Sequence, residues 1–156
     1  MSMRGALTAV AVVASALAAT ANAKIVPQSA IAGVRLGMTQ AQVQSQLGKP
    51  LGMEHKQNEF GSYTRFNYFG NLIIDFQGNA TVTAVSTTGK TERTARGIGV
   101  GSTKAQVLRL VSGVRCETGS GFAHCYIGSF TPGKRVTDFR LSRGRVARVT
   151  IGFVID

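Results

Sequence analysis

His55 and His124 are the only histidines in this 156-residue chain, Cys116 and Cys125 its only cysteines, and there are just seven acidic side chains. Most enzymes draw their acids, bases, nucleophiles and metal ligands from this stock, and here none falls at a spacing that such chemistry requires. A zinc site needs three or four ligands at short intervals, as in H-E-x-x-H, and two isolated imidazoles read instead as surface or loop residues. No G-x-S-x-G elbow lifts a serine into place, and Gly119-Ser120-Gly121 reads as a loop tip. A glycosidase carboxylate pair could come only from Asp75 and Asp138, which sit in different halves with no expected cleft between them. Asp138 is expected to pair with Arg140 or a neighbouring arginine. No G-x-x-x-x-G-K-[ST] loop is present, and Gly97-Ile98-Gly99-Val100-Gly101 follows no strong strand. The expectation is a protein with no catalytic residues, no metal and no cofactor, which acts by binding.

The basic residues point to what could be bound. Eighteen Lys and Arg against seven Asp and Glu give a net charge of +11, and most of the cations are arginines, suited to planar two-pronged contacts with carboxylate or phosphate. Arg140, Arg143, Arg145 and Arg148 cluster around one expected hairpin, with Lys134 and Arg135 just before it. Such a cluster fits an acidic protein face, an acidic lipid headgroup or a cell-wall polymer; alternatively it is a solvated edge that discourages strand pairing between molecules. Nucleic acid is not expected, since no recognition motif for it occurs. A second candidate surface joins Tyr63, Arg65, Tyr68 and Phe69, residue types enriched at binding hot spots, although aromatic residues in so small a chain also serve as core.

Other features locate the protein and its cross-link. Met1 to Gly5 carries one arginine, an apolar run of Ala, Val and Leu follows to Ala19, and Ala21-Asn22-Ala23 forms an A-x-A site, the layout of a signal peptide cleaved after Ala23. The run is shorter than the roughly 20 residues a membrane-spanning helix needs, so no transmembrane anchor is expected after cleavage. An exported chain meets oxidising conditions, and Cys116 and Cys125 are therefore expected to form a disulfide around the glycine-rich tip.

An internal repeat supplies the elements that position these residues. Residues 33–43, Gly-Val-Arg-Leu-Gly-Met-Thr-Gln-Ala-Gln-Val, match residues 97–107 at an offset of 64, with six of eleven positions identical. In both copies a glycine precedes a threonine placed to cap a short helix, which runs through Ala41, Val43 and Leu47 or through Ala105, Val107, Leu108 and Val111. Alternating strands are expected at 60–69, 72–76 and 81–87, and again at 125–130, 136–141 and 145–155. Gly78-Asn79 and Arg143-Gly144 mark the turns. The expected fold class is α+β: two tandem units, 24–89 and 90–156, each a short helical segment packed on a three- to four-stranded antiparallel sheet.

The opening phrase, with Leu47-Gly48-Lys49-Pro50 behind it, resembles the start of the SmpA/OmlA (BamE-like) domain, and its tandem use over residues 31–156 resembles the β-lactamase inhibitor protein (BLIP) fold. This resemblance implies a periplasmic or secreted protein that binds an envelope or secreted protein, in the inhibitor branch by gripping a β-lactamase with a concave sheet. The chain has no anchor cysteine of the lipoprotein branch, no tryptophan, and one cysteine pair where the inhibitor branch has one per unit. Two alternatives remain: an anion-binding envelope module that uses the arginine cluster, and an inhibitor of a secreted hydrolase.

Overall fold

Thr39 and Thr103 open the two helices in identical fashion. Each hydroxyl accepts the backbone N–H of the glutamine three residues on, at 3.2 Å, and that glutamine's side-chain oxygen accepts the threonine N–H at 2.8 Å. These reciprocal bonds are a capping box and satisfy backbone donors that a helix start leaves free. The computed structural model describes residues 24–119 and 121–155; the expected leader, residues 1–23, and Ser120 lie outside the described residues. Helix α1 is Gln40–Leu47 and α2 is Lys104–Leu110. Val111 was expected inside α2 but adopts an extended conformation, its N–H still bonded to the Val107 carbonyl, and turns into the core. Leu108 lies on the outer side of the helix, half exposed.

Before α1 the chain forms a small antiparallel sheet of β1 (Ile25–Val26), β2 (Ala30–Ile31) and β3 (Val34–Arg35). The main sheet follows: β4 (Gly52–Asn58), β5 (Gly61–Tyr68), β6 (Leu72–Gln77) and β7 (Ala84–Thr87) from the first half; β8 (Arg115–Gly119), β9 (Phe122–Gly128), β10 (Arg135–Ser142) and β11 (Arg145–Phe153) from the second. The order is β4-β5-β6-β7-β11-β10-β9-β8, antiparallel throughout. The last strands of the halves meet at the centre, where Val85 faces Ile151 and Thr87 faces Val149.

Period-two alternation gives this sheet a dry face and a wet one. In β6, Leu72, Ile74 and Phe76 are buried while Ile73, Asp75 and Gln77 remain partly exposed. Phe66, Phe139, Val149 and Ile151 continue the dry face, and Val43 and Val107 from the helices, with Ile25, Ile31 and Val34 from the small sheet, complete one hydrophobic cluster. Burying each phenylalanine contributes about 1.5–3 kcal/mol. Helices this short are marginal alone and depend on that packing.

The same bonds recur in both halves at the offset of 64. Gly37 N–H donates to Val82 O and Val82 N–H to Met38 O, each 2.8 Å; Gly101 N–H donates to Val146 O at 2.7 Å and Val146 N–H to Ser102 O at 2.8 Å. In the first half this pairing draws residues 81 and 82 toward the start of α1, and β7 begins at Ala84 rather than residue 81, although the Thr83 N–H still donates to the Asp75 carbonyl at 2.8 Å. Gly78 and Asn79 do turn, both at positive φ, but the connection is longer than the two-residue loop expected. Arg143 and Gly144, at φ 51° and 73°, form the two-residue turn between Ser142 and Arg145.

The segment between the halves is held by specific bonds. Buried Glu92 accepts the Thr87 and Thr91 hydroxyls, while Arg93 donates to the carbonyls of Lys90, Gly97 and Val100 and to the Ser102 hydroxyl. Gly89 packs so closely that a Cβ there would stand 2.2 Å from the Gly70 carbonyl oxygen.

Candidate functional site

The wet face of the main sheet carries two differently built patches. On the first half, Arg65 holds Asp75 through two hydrogen bonds, Nε at 2.7 Å and Nη2 at 2.9 Å, and its guanidinium lies over the Tyr63 ring at 5.6 Å. Glu54 takes a hydrogen bond from Asn67 at 2.6 Å and pairs with Lys56, also at 2.6 Å. The bonds from Lys56 and Asn67 hold the Glu54 carboxyl below its usual range. Charge on this patch is matched within the protein.

The second half differs. Phe122, His124 and Tyr126 alternate along β9, and Phe130 folds back from the following loop to stack on His124 at 5.4 Å and Tyr126 at 4.9 Å. Phe122 packs edge-on against His124 at 5.1 Å. His124 is therefore 9% exposed rather than a surface or loop residue, and its Nδ1 lies 2.6 Å from the Asp138 carboxylate. Asp138 thus pairs with His124 rather than with Arg140: the register sets Tyr126 opposite Asp138 and His124 opposite Arg140, and the His124 ring reaches Asp138 diagonally across the strands. Burial raises the Asp138 pKa, opposed by the His124 hydrogen bond. Glu117 accepts the Tyr126 hydroxyl, and Arg115 lies over the Tyr126 ring at 5.1 Å. Phe122 and Phe130 stay nearly half exposed.

The arginine cluster read from the sequence is brought together only in part. Arg140 and Arg148 stand directly opposite each other on β10 and β11, both exposed on the wet face. Arg143 occupies the hairpin tip, and Arg145 donates to the Gly101 carbonyl at 3.0 Å near the start of α2. In the aromatic group, Tyr63 and Arg65 share the wet face while Tyr68 points to the dry one, where its hydroxyl donates to the Gly48 carbonyl at 3.0 Å and burial raises its pKa. Phe69 is 83% exposed in a 3-10 turn, Phe69–Asn71, beyond the strand. Cys116 and Cys125 are bonded across the β8–β9 pair, tying the edge strand to its neighbour. The Phe122, His124, Tyr126 alternation was readable as a second wet-face stripe, but Phe130 joins it through a loop that carries no periodic signal.

His124 and Asp138 bond to each other, and no nucleophilic side chain is among their hydrogen-bond partners. No group of three or more His, Cys, Asp or Glu able to hold a metal occurs among the described residues. No helix among them is long and apolar enough to cross a membrane.

No family model matches the chain, and no curated protein sequence does. Solved structures with a similar fold include an extracellular protein containing a SCP domain from Bacillus anthracis str. Ames, at TM-score 0.51 and 9% identity, over 76% of this chain and 44% of that one. This chain thus spans less than half the length of that protein. A DUF4309 family protein (YjgB) from Bacillus subtilis is similar at TM-score 0.50 and 14% identity, over 84% of this chain and 88% of that one. A candidate β-lactamase inhibitor protein from Streptococcus mutans matches at 0.36 and 11%, over 74% and 82%, a likeness too low to carry an argument. Identities of this size show a fold and no more. The class they define with the coordinates is an α+β protein whose antiparallel sheet is covered by short helices on one side.

Proposed function

We propose that the chain is an exported, non-enzymatic binding protein, periplasmic or secreted after cleavage behind Ala23, that holds an envelope or secreted protein against the wet face of its sheet. The observation that carries this reading is the uncovered face itself: half-exposed Phe122 lies under Arg140, Arg148 stands opposite Arg140, and half-exposed Phe130 stacks on the neighbouring His124 and Tyr126. Aromatic and arginine side chains on a stiff support are the groups that dominate protein interfaces. The Cys116–Cys125 disulfide suits an oxidising compartment. The chain is further read as two units, 24–89 and 90–156, supported by the capping boxes and backbone bonds that recur 64 residues apart.

A photo-crosslinking residue at Thr150, in the centre of the wet face, tests the reading against one at Ser45, exposed on α1. Crosslinks to a discrete protein from Thr150 and none from Ser45, in cells that export the chain, are the expected result. The reverse pattern would overturn it. Binding of acidic lipid headgroups or cell-wall polymer is a second reading, favoured by the two unpaired arginines; sedimentation with phosphatidylglycerol vesicles, lost at moderate salt, would support it.

A further inference from the structure

The opposed pair Arg140 and Arg148 is a costly arrangement that the fold does not need. Like charges directly opposite in an antiparallel pair repel at Cβ separations of about 5 Å. Neither arginine has an ion-pair partner among the described residues. Asp138, two residues along the same strand, feels the Arg140 charge without pairing to it and is hydrogen-bonded to His124, and Glu117 accepts from the Tyr126 hydroxyl. The first half provides an internal comparison. At the offset of 64, Arg148 corresponds to Ala84, whose cross-strand partner is Asp75, and Asp75 is neutralised by Arg65. Where one half places a matched acid, the other places an unmatched cation facing a second cation.

The surroundings arrange the pair for a ligand. Arg140 lies over the Phe122 ring at 5.5 Å, which limits the freedom its guanidinium must give up on binding. Thr88, the residue after β7, lines the same shallow groove of about 290 Å³ with Arg140, Ala147 and Arg148, and adds a hydroxyl-bearing side chain to it. We propose that Arg140, Arg148 and Thr88 form a clamp for carboxylates of an acidic segment on the partner protein. Two guanidinium groups can take adjacent acidic side chains in two-pronged hydrogen bonds, so the partner's charge replaces the acid this half lacks. The aromatic stripe beside the groove fits an apolar residue flanking those acids. The clamp rests on the wet face being the binding face and adds the chemistry of what binds there.

The full chain titrated with a fluorescein-labelled hexaglutamate peptide, read by anisotropy, tests the clamp. R140S/R148S is expected to weaken peptide binding at least roughly tenfold, as loss of charge-assisted bonds from two guanidinium groups requires. R35S/R109S, on β3 and α2, removes the same net charge away from the wet face and is expected to change binding less than about twofold. Equal weakening by both variants would reduce the effect to net charge and overturn the clamp. Binding of phosphatidylglycerol vesicles but not of peptide would overturn it in favour of a headgroup site. R140S/R148S should melt no lower than the parent protein, since repulsion is relieved; a lower melting temperature would make the pair structural and overturn the proposal. If the peptide fails to bind while Thr150 crosslinks persist, the clamp falls and the face stands.

Discussion

Cys116 and Cys125 face each other directly across β8 and β9 with Cα atoms 3.9 Å apart, so the only disulfide among the described residues pins an edge strand to the strand that carries Phe122, His124 and Tyr126. The cross-link therefore supports the face on which binding is proposed. β8 is largely exposed and would otherwise hold its place mainly through ladder hydrogen bonds.

Reduction, or C116S/C125S, is expected to lower stability by about 2–3 kcal/mol, the chain-entropy estimate for so short a loop. Thermal melting with and without reductant measures this, and hydrogen exchange should show β8 amides losing protection before those of β7 and β11.

G89A is expected to destabilise by about 1–3 kcal/mol, because its Cβ would meet the Gly70 carbonyl oxygen and Glu92 beneath it. Gly78→Ala makes the contrast: its positive φ disfavours a side chain but nothing stands within 4 Å, so its cost comes from the backbone alone. Urea denaturation of both variants separates packing from conformation.

T39A and T103A should each cost about 1 kcal/mol, the usual value of a lost helix cap, and the double variant about the sum, since the caps share no partner. A double variant much worse than the sum would show the two helices coupled through the core.

Asp138 gives a pH dependence of known sign. Its folded-state pKa is raised above 3.8, chiefly by burial, so the native protein binds this proton more tightly than the unfolded chain does. The stability it contributes is fully present below the unfolded value and is lost as pH rises through the folded value. D138N keeps an oxygen for His124 and removes the titration; stability measured from pH 3 to 6 should fall less with rising pH in the variant than in the parent.

Much of the architecture was legible from the sequence because it rests on short-range rules. The Thr39 and Thr103 caps, the Arg143-Gly144 turn and the alternation in β6 and β11 follow from local chemistry and period two. β4 was missed because its polar residues lie at an exposed edge and show no alternation, and β1 to β3 because two-residue strands have no period. The displacement of β7 to Ala84 depends on Val82 bonding to Met38, a contact across the fold that no local pattern announces. The same applies to the site: the arginines were visible as a cluster, but only strand register separates Arg140 and Arg148 from Arg143 and Arg145. His124 looked isolated because its partners lie on another strand and in a loop.

The most direct measurement is the arginine side-chain NMR spectrum of the exported chain, recorded with and without the protein that Thr150 crosslinks. Arg140 and Arg148 on the wet face should shift, while Arg35 on β3 and Arg109 on α2 stay in place. Shifts at Arg35 and Arg109 with Arg140 and Arg148 unmoved would place binding on the helical side and contradict the open-face assignment.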